Sequence, residues 1–427
     1  MEKQVIKKII IEKQSEIRNV KLIKRPLDLE PVCNYVFIGM RRAGKSYSMY
    51  QYILELVESG KATFQEILFV NFEDERLSEI KSSELDILLE SYRELFDFQP
   101  IIFLDEIQNV NGWEKFARRL ADSKYRVFIT GSNANMLSRE IHSTLGGRFL
   151  VKEIYPFSFF EFLSFHGTEL ADNWEFGDQP AKVARLFADY YYFGGFAEVF
   201  PVNDKRSWIS SLYQKILFGD IIVRNNLRND HAIRILVKKL AESVMQPMSL
   251  TRLKNILAST GFPISGNTLS DYLQYLDDSF LTFSISNYSD KLTTRETFKK
   301  RYFSDNGLLN NFLVDPETRL LENLVAISLF RQYGENLFYY HKNIEIDFFV
   351  PSDKMAVQVS YNLSGDATRQ REIRAFQKVA EIYKTEQFFI ITRDEESRVA
   401  DGKVVVHIIP IWKWLLRESG IQTGKAV

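Results

Sequence analysis

The stretch GMRRAGKS, Gly39 to Ser46, carries the spacing G-x-x-x-x-G-K-S. Two glycines let a backbone turn tightly and approach a ligand closely. The N–H groups of residues 40–46 would then converge on phosphate oxygens, helped by the positive end of a following helix. Lys45 is placed to reach the β- and γ-phosphates of a nucleotide, and the Ser46 hydroxyl to ligate Mg²⁺. Arg41, Arg42 and Ala43 fill the loop and Tyr47 follows it, so the nucleotide-binding set reads Gly39, Arg41, Arg42, Ala43, Gly44, Lys45, Ser46 and Tyr47. Two uses are open for Arg41 and Arg42, pairing with nearby acids or lying near the phosphates.

A second stretch, QPIIFLDEIQNV, sets Asp105 and Glu106 after four apolar residues. Asp105 would hold the water shell of the metal, and Glu106 would act as a base toward an attacking water. The run Tyr125–Ile129 leads into TGSNANML. Thr130, Ser132 and Asn133 could touch the γ-phosphate or the water there, or cap a helix; Asn133 joins the nucleotide-binding set. Asn71, Glu73, Asp74 and Arg76 follow the apolar run Ile67–Val70 as an outer polar group or a solvated turn. Arg148, behind Gly146 and Gly147, is either a catalytic arginine meeting phosphate charge in its own or a neighbouring chain, or a surface arginine paired with a carboxylate.

These residues work only if strands and helices aim them. Tyr35–Ile38 is a short branched and aromatic run, read as a central strand. From Ser46 to Val57, the residues Met49, Ile53, Leu56 and Val57 recur at helical spacing. Strand, glycine loop, helix is the context a phosphate loop requires. An acid ending a fully apolar run fits a buried parallel strand, whose C-terminal end faces the ligand in an open α/β sheet.

The composition admits this reading. The chain has 427 residues, enough for two or three domains, with 45% hydrophobic and 26% charged residues. A net charge of −1 argues against a protein that coats nucleic acid over its whole surface. One cysteine, Cys33, leaves no internal disulfide framework or cysteine zinc site. No apolar run reaches membrane-spanning length, and MEKQVIKKIIIEKQ lacks the long apolar region of a signal peptide. The expectation is a cytoplasmic protein with no membrane association.

GMRRAGKS, FLDEIQNVNGWE, TGSNANML, GGRF and YPFSFFEF succeed one another as in a group of prokaryotic AAA-superfamily ATPases (AAA_14 type) with a DUF4143-type C-terminal region, and YYYFGGFAEV resembles the stretch those proteins carry after the ATPase core. The resemblance implies binding and hydrolysis of ATP with Mg²⁺. Lys45, Ser46, Asp105 and Glu106 fall on the family's motif positions.

The remainder changes character. Residues from about 166 to 222 are rich in Tyr and Phe and read as helices forming a lid. SLTRLKNILAST and SGNTLSDYLQYLDDSFL read as two helices, with Leu269, Tyr272, Leu273 and Leu276 inward on the second. LTFSISNYSD and KKRYFSD follow as wing strands, completing a winged helix-turn-helix outline. The second helix is not basic; Lys291, Arg295, Lys299, Lys300 and Arg301 put the positive charge on the wing, where phosphate contacts would give nonspecific affinity. The last part resembles a PD-(D/E)XK nuclease core. Glu322, Asp347 and Gln358 match three of that family's site positions, but Ser360 stands where its lysine belongs and cannot supply the positive charge. Lys354 and Lys378 are the candidate replacements.

The expected fold is therefore α/β, with a P-loop AAA-type domain over 1–165, a helical lid over 166–222, a winged helix over 223–303 and a restriction-endonuclease-like domain over 304–427. The expected function is an ATP-driven, Mg²⁺-dependent switch, with DNA or a protein as partner. Two alternatives stand beside it: an ATP-regulated protein-interaction module with an inactive nuclease-like domain, and an ATP-gated metal-dependent nuclease. The oligomeric state is not legible.

Overall fold

A computed structural model describes residues 2–132, 145–170, 174–227, 230–363, 365–402 and 404–417. The chain divides into two compact units, residues 1–156 with 278–280, and the remainder. Among the described residues no helix is long and apolar enough to cross a membrane.

The first unit runs α1 (Lys3–Asn19), β1 (Asn34–Ile38), α2 (Lys45–Glu58), β2 (Ile67–Asn71), α3 (Asp86–Arg93), β3 (Ile101–Asp105), α4 (Glu114–Asp122), β4 (Val127–Gly131) and β5 (Phe149–Glu153). Its five strands are all parallel, in the order β2-β3-β4-β1-β5. Strand alternation sorts the side chains by type. Val36, Ile38, Leu68, Val70, Ile102, Leu104, Val127 and Ile129 put an aliphatic face into one apolar core with Ile6, Ile9 and Ile10 of α1 and Leu120 of α4. The intervening positions put aromatic rings on the opposite face. Phe103 stacks on Phe128 at 4.8 Å and on Phe69 at 6.3 Å, and α2 covers the row through Tyr52 and Tyr50, 4.9 Å from Phe128 and 5.2 Å from Phe69. A parallel sheet buried on both faces explains why its strands read as unbroken apolar runs.

The second unit opens with α5 (Phe159–Phe165), α6 (Gln179–Phe193) and α7 (Lys205–Lys215), the last continuing as a π-helix over Ile216–Val223. Then come α8 (Asp230–Glu242), β6 (Met248–Ser249), α9 (Leu250–Ser259), α10 (Gly266–Asp278), β7 (Thr282–Asn287), α11 (Leu292–Thr297), β8 (Phe298–Phe303) and α12 (Asn306–Asn310). It closes with α13 (Glu317–Tyr333), β9 (Phe338–His341), β10 (Glu345–Val350), β11 (Met355–Val359), α14 (Asp366–Tyr383), β12 (Gln387–Thr392), β13 (Ser397–Asp401), β14 (Val404–Pro410) and α15 (Ile411–Arg417). As the spacing predicts, Leu269, Tyr272, Leu273 and Leu276 of α10 are buried. Strands β7 and β8 pair antiparallel, and β7 also pairs parallel with β9. One nine-stranded sheet, β13-β14-β12-β11-β10-β9-β7-β8-β6, therefore runs across residue 303, where the sequence suggested a domain boundary.

The YYYFGGF stretch is a packing device. Asp305 accepts hydrogen bonds from the backbone N–H groups of Gly195 (2.8 Å), Gly307 (2.8 Å) and Leu308 (3.3 Å). Gly194 has φ +75°, and a Cβ there would lie 2.1 Å from Asp305 Oδ1.

Candidate functional site

The parallel sheet gathers the predicted residues of the first unit at its C-terminal edge. Ile38 ends β1 and the loop follows. Asn71 pairs with Asp105 across β2 and β3, and Ile38 pairs with Gly131, next to Thr130, across β1 and β4. The loop is tight where glycine is needed. Gly39 has φ +149°, and a Cβ there would meet the Ile154 carbonyl oxygen at 2.0 Å. Gly44, at φ +98°, caps α2 in the left-handed region.

Lys45 is 4% exposed and donates to the carbonyls of Gly39 and Met40, both at 3.1 Å; its Nζ lies 3.8 Å from Glu106 Oε1. Ser46 Oγ donates to Asp105 Oδ1 at 3.0 Å, and Thr130 Oγ1 donates to the same oxygen at 2.6 Å. Thr130 Oγ1 in turn accepts from the Glu106 N–H at 2.8 Å. One threonine thus ties β4 to both acids. Glu106 sits at φ +53°, uncommon for a residue with a side chain and a form of backbone strain that concentrates at functional sites. Gln108 donates to Glu106 Oε2. Ser132 is buried beside this edge; Asn133 lies outside the described residues.

Asp105 Oδ2 is buried and has no hydrogen-bond partner. An orphaned carboxylate oxygen beside a serine hydroxyl is a donor set that fits Mg²⁺, a hard cation bound by few protein oxygens together with phosphate and water. Burial, and then the neighbouring Glu106, push the Asp105 carboxyl up to about 6, against the hydrogen bonds from Thr130 and Ser46. The direction has two consequences. A carboxyl whose folded pKa exceeds its unfolded value contributes stability below the unfolded value that is lost as pH rises through the folded one. The nucleotide-free protein is therefore expected to lose that contribution between about pH 4 and pH 6, while Mg²⁺-dependent activity, which needs the carboxylate, falls as pH drops through the same window. Thermal melting without nucleotide and phosphate release, each measured across pH, check the opposed slopes.

Arg41 Nη1 pairs with Glu73 at 3.1 Å, one of the two uses open to it. Asp74 caps the following turn and pairs with Arg76 at 2.7 Å. Arg42 sits at φ +64°, and Ala43 is buried. Tyr47 is 55% exposed and packs against Tyr50 with ring centroids 5.6 Å apart. Arg25 was not legible as a site residue. It precedes Pro26 in a stretch without periodicity, yet donates to the carbonyls of Ala43 (3.0 Å) and Tyr155 (2.8 Å), holding the loop from outside.

Arg148 is corrected. It immediately precedes β5, whose Phe149 pairs with Asn34 at the start of β1, so Arg148 lies at the sheet edge opposite the loop. Four residues of strand separate the two edges by about 13 Å. Its guanidinium pairs with Asp122 at 2.6 Å. In its own chain it is the surface arginine, because the strand direction carries it away from the phosphates.

In the second unit, Glu322 of α13, Asp347 of β10 and Gln358 of β11 do come together. Asp347 lies at an irregularity in the β9–β10 pairing, between Ile346 and Phe349, and such bulges re-aim side chains. Asp347 Oδ2 accepts from the Val359 N–H at 3.0 Å. Gln358 is committed to the framework: its Oε1 accepts from the Asp347 N–H (2.8 Å), and its Nε2 donates to the Glu345 carbonyl (2.9 Å) and to Glu372 (2.6 Å). Ser360 Oγ donates to the Asn362 carbonyl.

The missing positive charge comes from elsewhere. Lys300 of β8, 1% exposed, places Nζ 3.3 Å from Asp347, 3.6 Å from Glu322 and 3.8 Å from Glu345. Burial alone would depress its pKa; Glu322 first, then Asp347 and Glu345, more than offset this and raise it. Burial pushes Glu322 up, against Lys300 and the Tyr302 hydroxyl that donates to it at 2.8 Å. Strand alternation was the available signal: in KKRYF, Lys300 and Tyr302 share a face, which is buried. The same geometry narrows the expectation of a basic wing, on which Lys291 stays exposed. Lys300 points inward, Arg301 pairs with Asp277 (2.8 Å), Lys299 with Glu296 (3.1 Å), and Arg295 donates to the Asn287 and Tyr288 carbonyls. Of the two expected substitutes, Lys354 pairs with Glu386, and Lys378 lines an open cavity together with Glu322, Asp347 and Gln358.

Residues 34–163 match the AAA domain (AAA_14) family, and residues 184–319 match a domain of unknown function, DUF8612. A DUF4143-type region is not what the comparison returns there. The uncharacterized protein MJ1544 of Methanocaldococcus jannaschii is 32% identical over 97% of this chain and 96% of its own length. An uncharacterized protein of Haemophilus influenzae is 30% identical over 90% of this chain and 94% of its own. Among solved structures, the Walker-type ATPase PABY2304 of Pyrococcus abyssi aligns over 73% of this chain and 95% of its own at 14% identity, with a TM-score of 0.43.

Proposed function

The chain belongs to the family of the MJ1544 protein, with an AAA domain in its first half, and on that premise we propose that it is a Mg²⁺-dependent ATP hydrolase whose nucleotide state controls what its second unit holds. The observation that carries the reading is the convergence at one sheet edge of Lys45, Ser46, Asp105 and Glu106, with Thr130 bonded to Asp105 and to the Glu106 backbone. Gly39, Arg42, Ala43, Gly44 and Tyr47 complete the loop that receives the phosphates, and Asn133 is read as a γ-phosphate contact. Lys45 neutralises phosphate charge. Ser46 and Asp105 would hold Mg²⁺, which would supply charge stabilisation to the departing phosphates. Glu106 takes the proton of the attacking water as its oxygen bonds to the γ-phosphorus and the bond to the leaving oxygen breaks. Residues 166–222 are read as a lid and 223–303 as a winged helix.

The second unit is read as a nuclease-like module that binds DNA without cutting it. The framework bonding of Gln358, whose amide is committed to the Asp347 N–H, the Glu345 carbonyl and Glu372, supports this over the ATP-gated nuclease.

Replacing Lys45 by Ala tests the proposal. Fluorescent-ATP affinity should fall by about tenfold or more, since a charge-assisted phosphate contact contributes about 1.5–3 kcal/mol. Phosphate release should fall with it. Unchanged affinity and turnover would remove the loop from the active site.

A further inference from the structure

Gln108 lies two residues after Glu106, in the short turn Ile107–Asn109. The turn is fixed from several sides. Ile107 and Val110 are buried in the apolar core. The Asn109 N–H donates to the Glu106 carbonyl at 3.1 Å, and Asn109 Nδ2 donates to the Phe72 carbonyl at 3.2 Å. The Phe72 N–H in turn donates to the Asp105 carbonyl at 2.9 Å, which ties the end of β2 to both acids' strand and to the turn. Glu106, in the left-handed region, folds the chain back here, and the Gln108 side chain returns to the site.

The two oxygens of Glu106 meet different groups. Oε1 faces Lys45 at 3.8 Å, while Oε2 accepts from Gln108 Nε2. A carboxylate offers only acceptors, so it holds the nitrogen end of the amide toward itself and leaves the oxygen end facing elsewhere. That oxygen, Gln108 Oε1, is buried, and among the described residues it has no hydrogen-bond partner. A buried acceptor without a donor is costly, and such groups in folded proteins are few and call for a reason. The chemistry at Glu106 supplies one. An attacking water has two O–H bonds, and a single acceptor leaves it free to rotate about the first. Lys45 has only donors and cannot hold the second bond. An amide oxygen can, and it is too weak a base to take the proton.

We propose that Gln108 is a further catalytic residue: its Nε2 holds the Glu106 carboxylate, and its Oε1 accepts a hydrogen bond from the attacking water, so that two acceptors aim the water at the γ-phosphorus. As the water oxygen bonds to phosphorus and the bond to the leaving oxygen breaks, one proton passes to Glu106. The other stays on the phosphate that forms, and Gln108 gains none. The proposal rests on the reading of this site as an ATP hydrolase with Glu106 as its base.

The test is single-turnover hydrolysis of radiolabelled Mg-ATP by the full chain, with fluorescent-ATP affinity and thermal melting on the same preparations. The proteins are wild type, Q108L, E106Q and the double variant E106Q/Q108L. Leucine is close to glutamine in size but neither donates nor accepts. Q108L should slow the chemical step by about ten- to a hundredfold, the effect of a hydrogen bond that involves a charged group, with ATP affinity within a few-fold of wild type. Both side chains act on one water, so the double variant should be no more than about threefold slower than E106Q alone. Q108N, one methylene too short to reach Glu106, should lose the rate as Q108L does, and serves where leucine lowers the melting temperature. Unchanged rates in Q108L and Q108N beside a slow E106Q would overturn the assignment and leave the hydrolase reading intact. Losses that multiply in the double variant, or an affinity that falls as far as the rate, would make Gln108 a structural or binding residue and overturn it as well. No hydrolysis by the wild type would sink both readings.

Discussion

Replacing Glu106 by Gln is expected to lower the rate of ATP hydrolysis by about 10²–10⁴, the range for losing a positioned general base, while leaving ATP affinity within a few-fold. The substitution preserves size and hydrogen-bonding capacity but removes basicity. Among the described residues the Glu106 side chain meets Gln108 and Lys45, and the backbone N–H that donates to Thr130 is untouched by the change. The loop that grips phosphate is built from other residues, so binding and chemistry should separate. Steady-state phosphate release and fluorescent-ATP binding on the same preparation measure the two quantities. A parallel fall in affinity would make Glu106 a binding group instead.

The second large effect concerns stability. Replacing Lys300 by Ala should destabilise the second unit by about 3–5 kcal/mol, the cost of breaking a buried ion pair and leaving uncompensated charge. Glu322 is 2% exposed and Asp347 is only partly exposed, so neither recovers much hydration. The pH dependence is signed. Burial already raises Glu322, with Lys300 opposing; without Lys300 it rises further. A carboxyl raised in the folded state stabilises at low pH and loses that contribution as pH rises. The variant's deficit should therefore be larger in alkaline than in acidic buffer. Thermal melting of wild type and variant across pH reads this directly, and an equal deficit at every pH would mean that the loss is one of packing.

Much of the first unit was legible because parallel strands buried on both faces appear as short apolar runs, each ending in the residue that does chemistry. Asp105 after IIFL is the plainest case. What failed was geometry that spacing does not carry. Arg148 follows two glycines, which leaves a phosphate-facing and a carboxylate-paired reading open, and only its place before β5 puts it at the far edge of its own chain's sheet. Arg25 has no local signal, since it meets the loop from a distant stretch without periodicity. In the second unit, motif spacing points to Glu322, Asp347 and Gln358, with Ser360 in the lysine position. Lys300 reads as a surface cation from the charge of KKRYF, and only the alternation of β8 turns it inward. The period of two in a strand sends Lys299 and Arg301 one way and Lys300 with Tyr302 the other.

The most direct test of the central claim is the identity of the nucleotide that stays with the protein. Wild type and Glu106→Gln are each mixed with Mg-ATP, freed of unbound nucleotide by gel filtration, denatured, and the released nucleotide separated by chromatography. The account predicts ADP from the wild type and ATP from the variant. ATP from both would show that the site does not hydrolyse, and ADP from both would show that Glu106 is not its base.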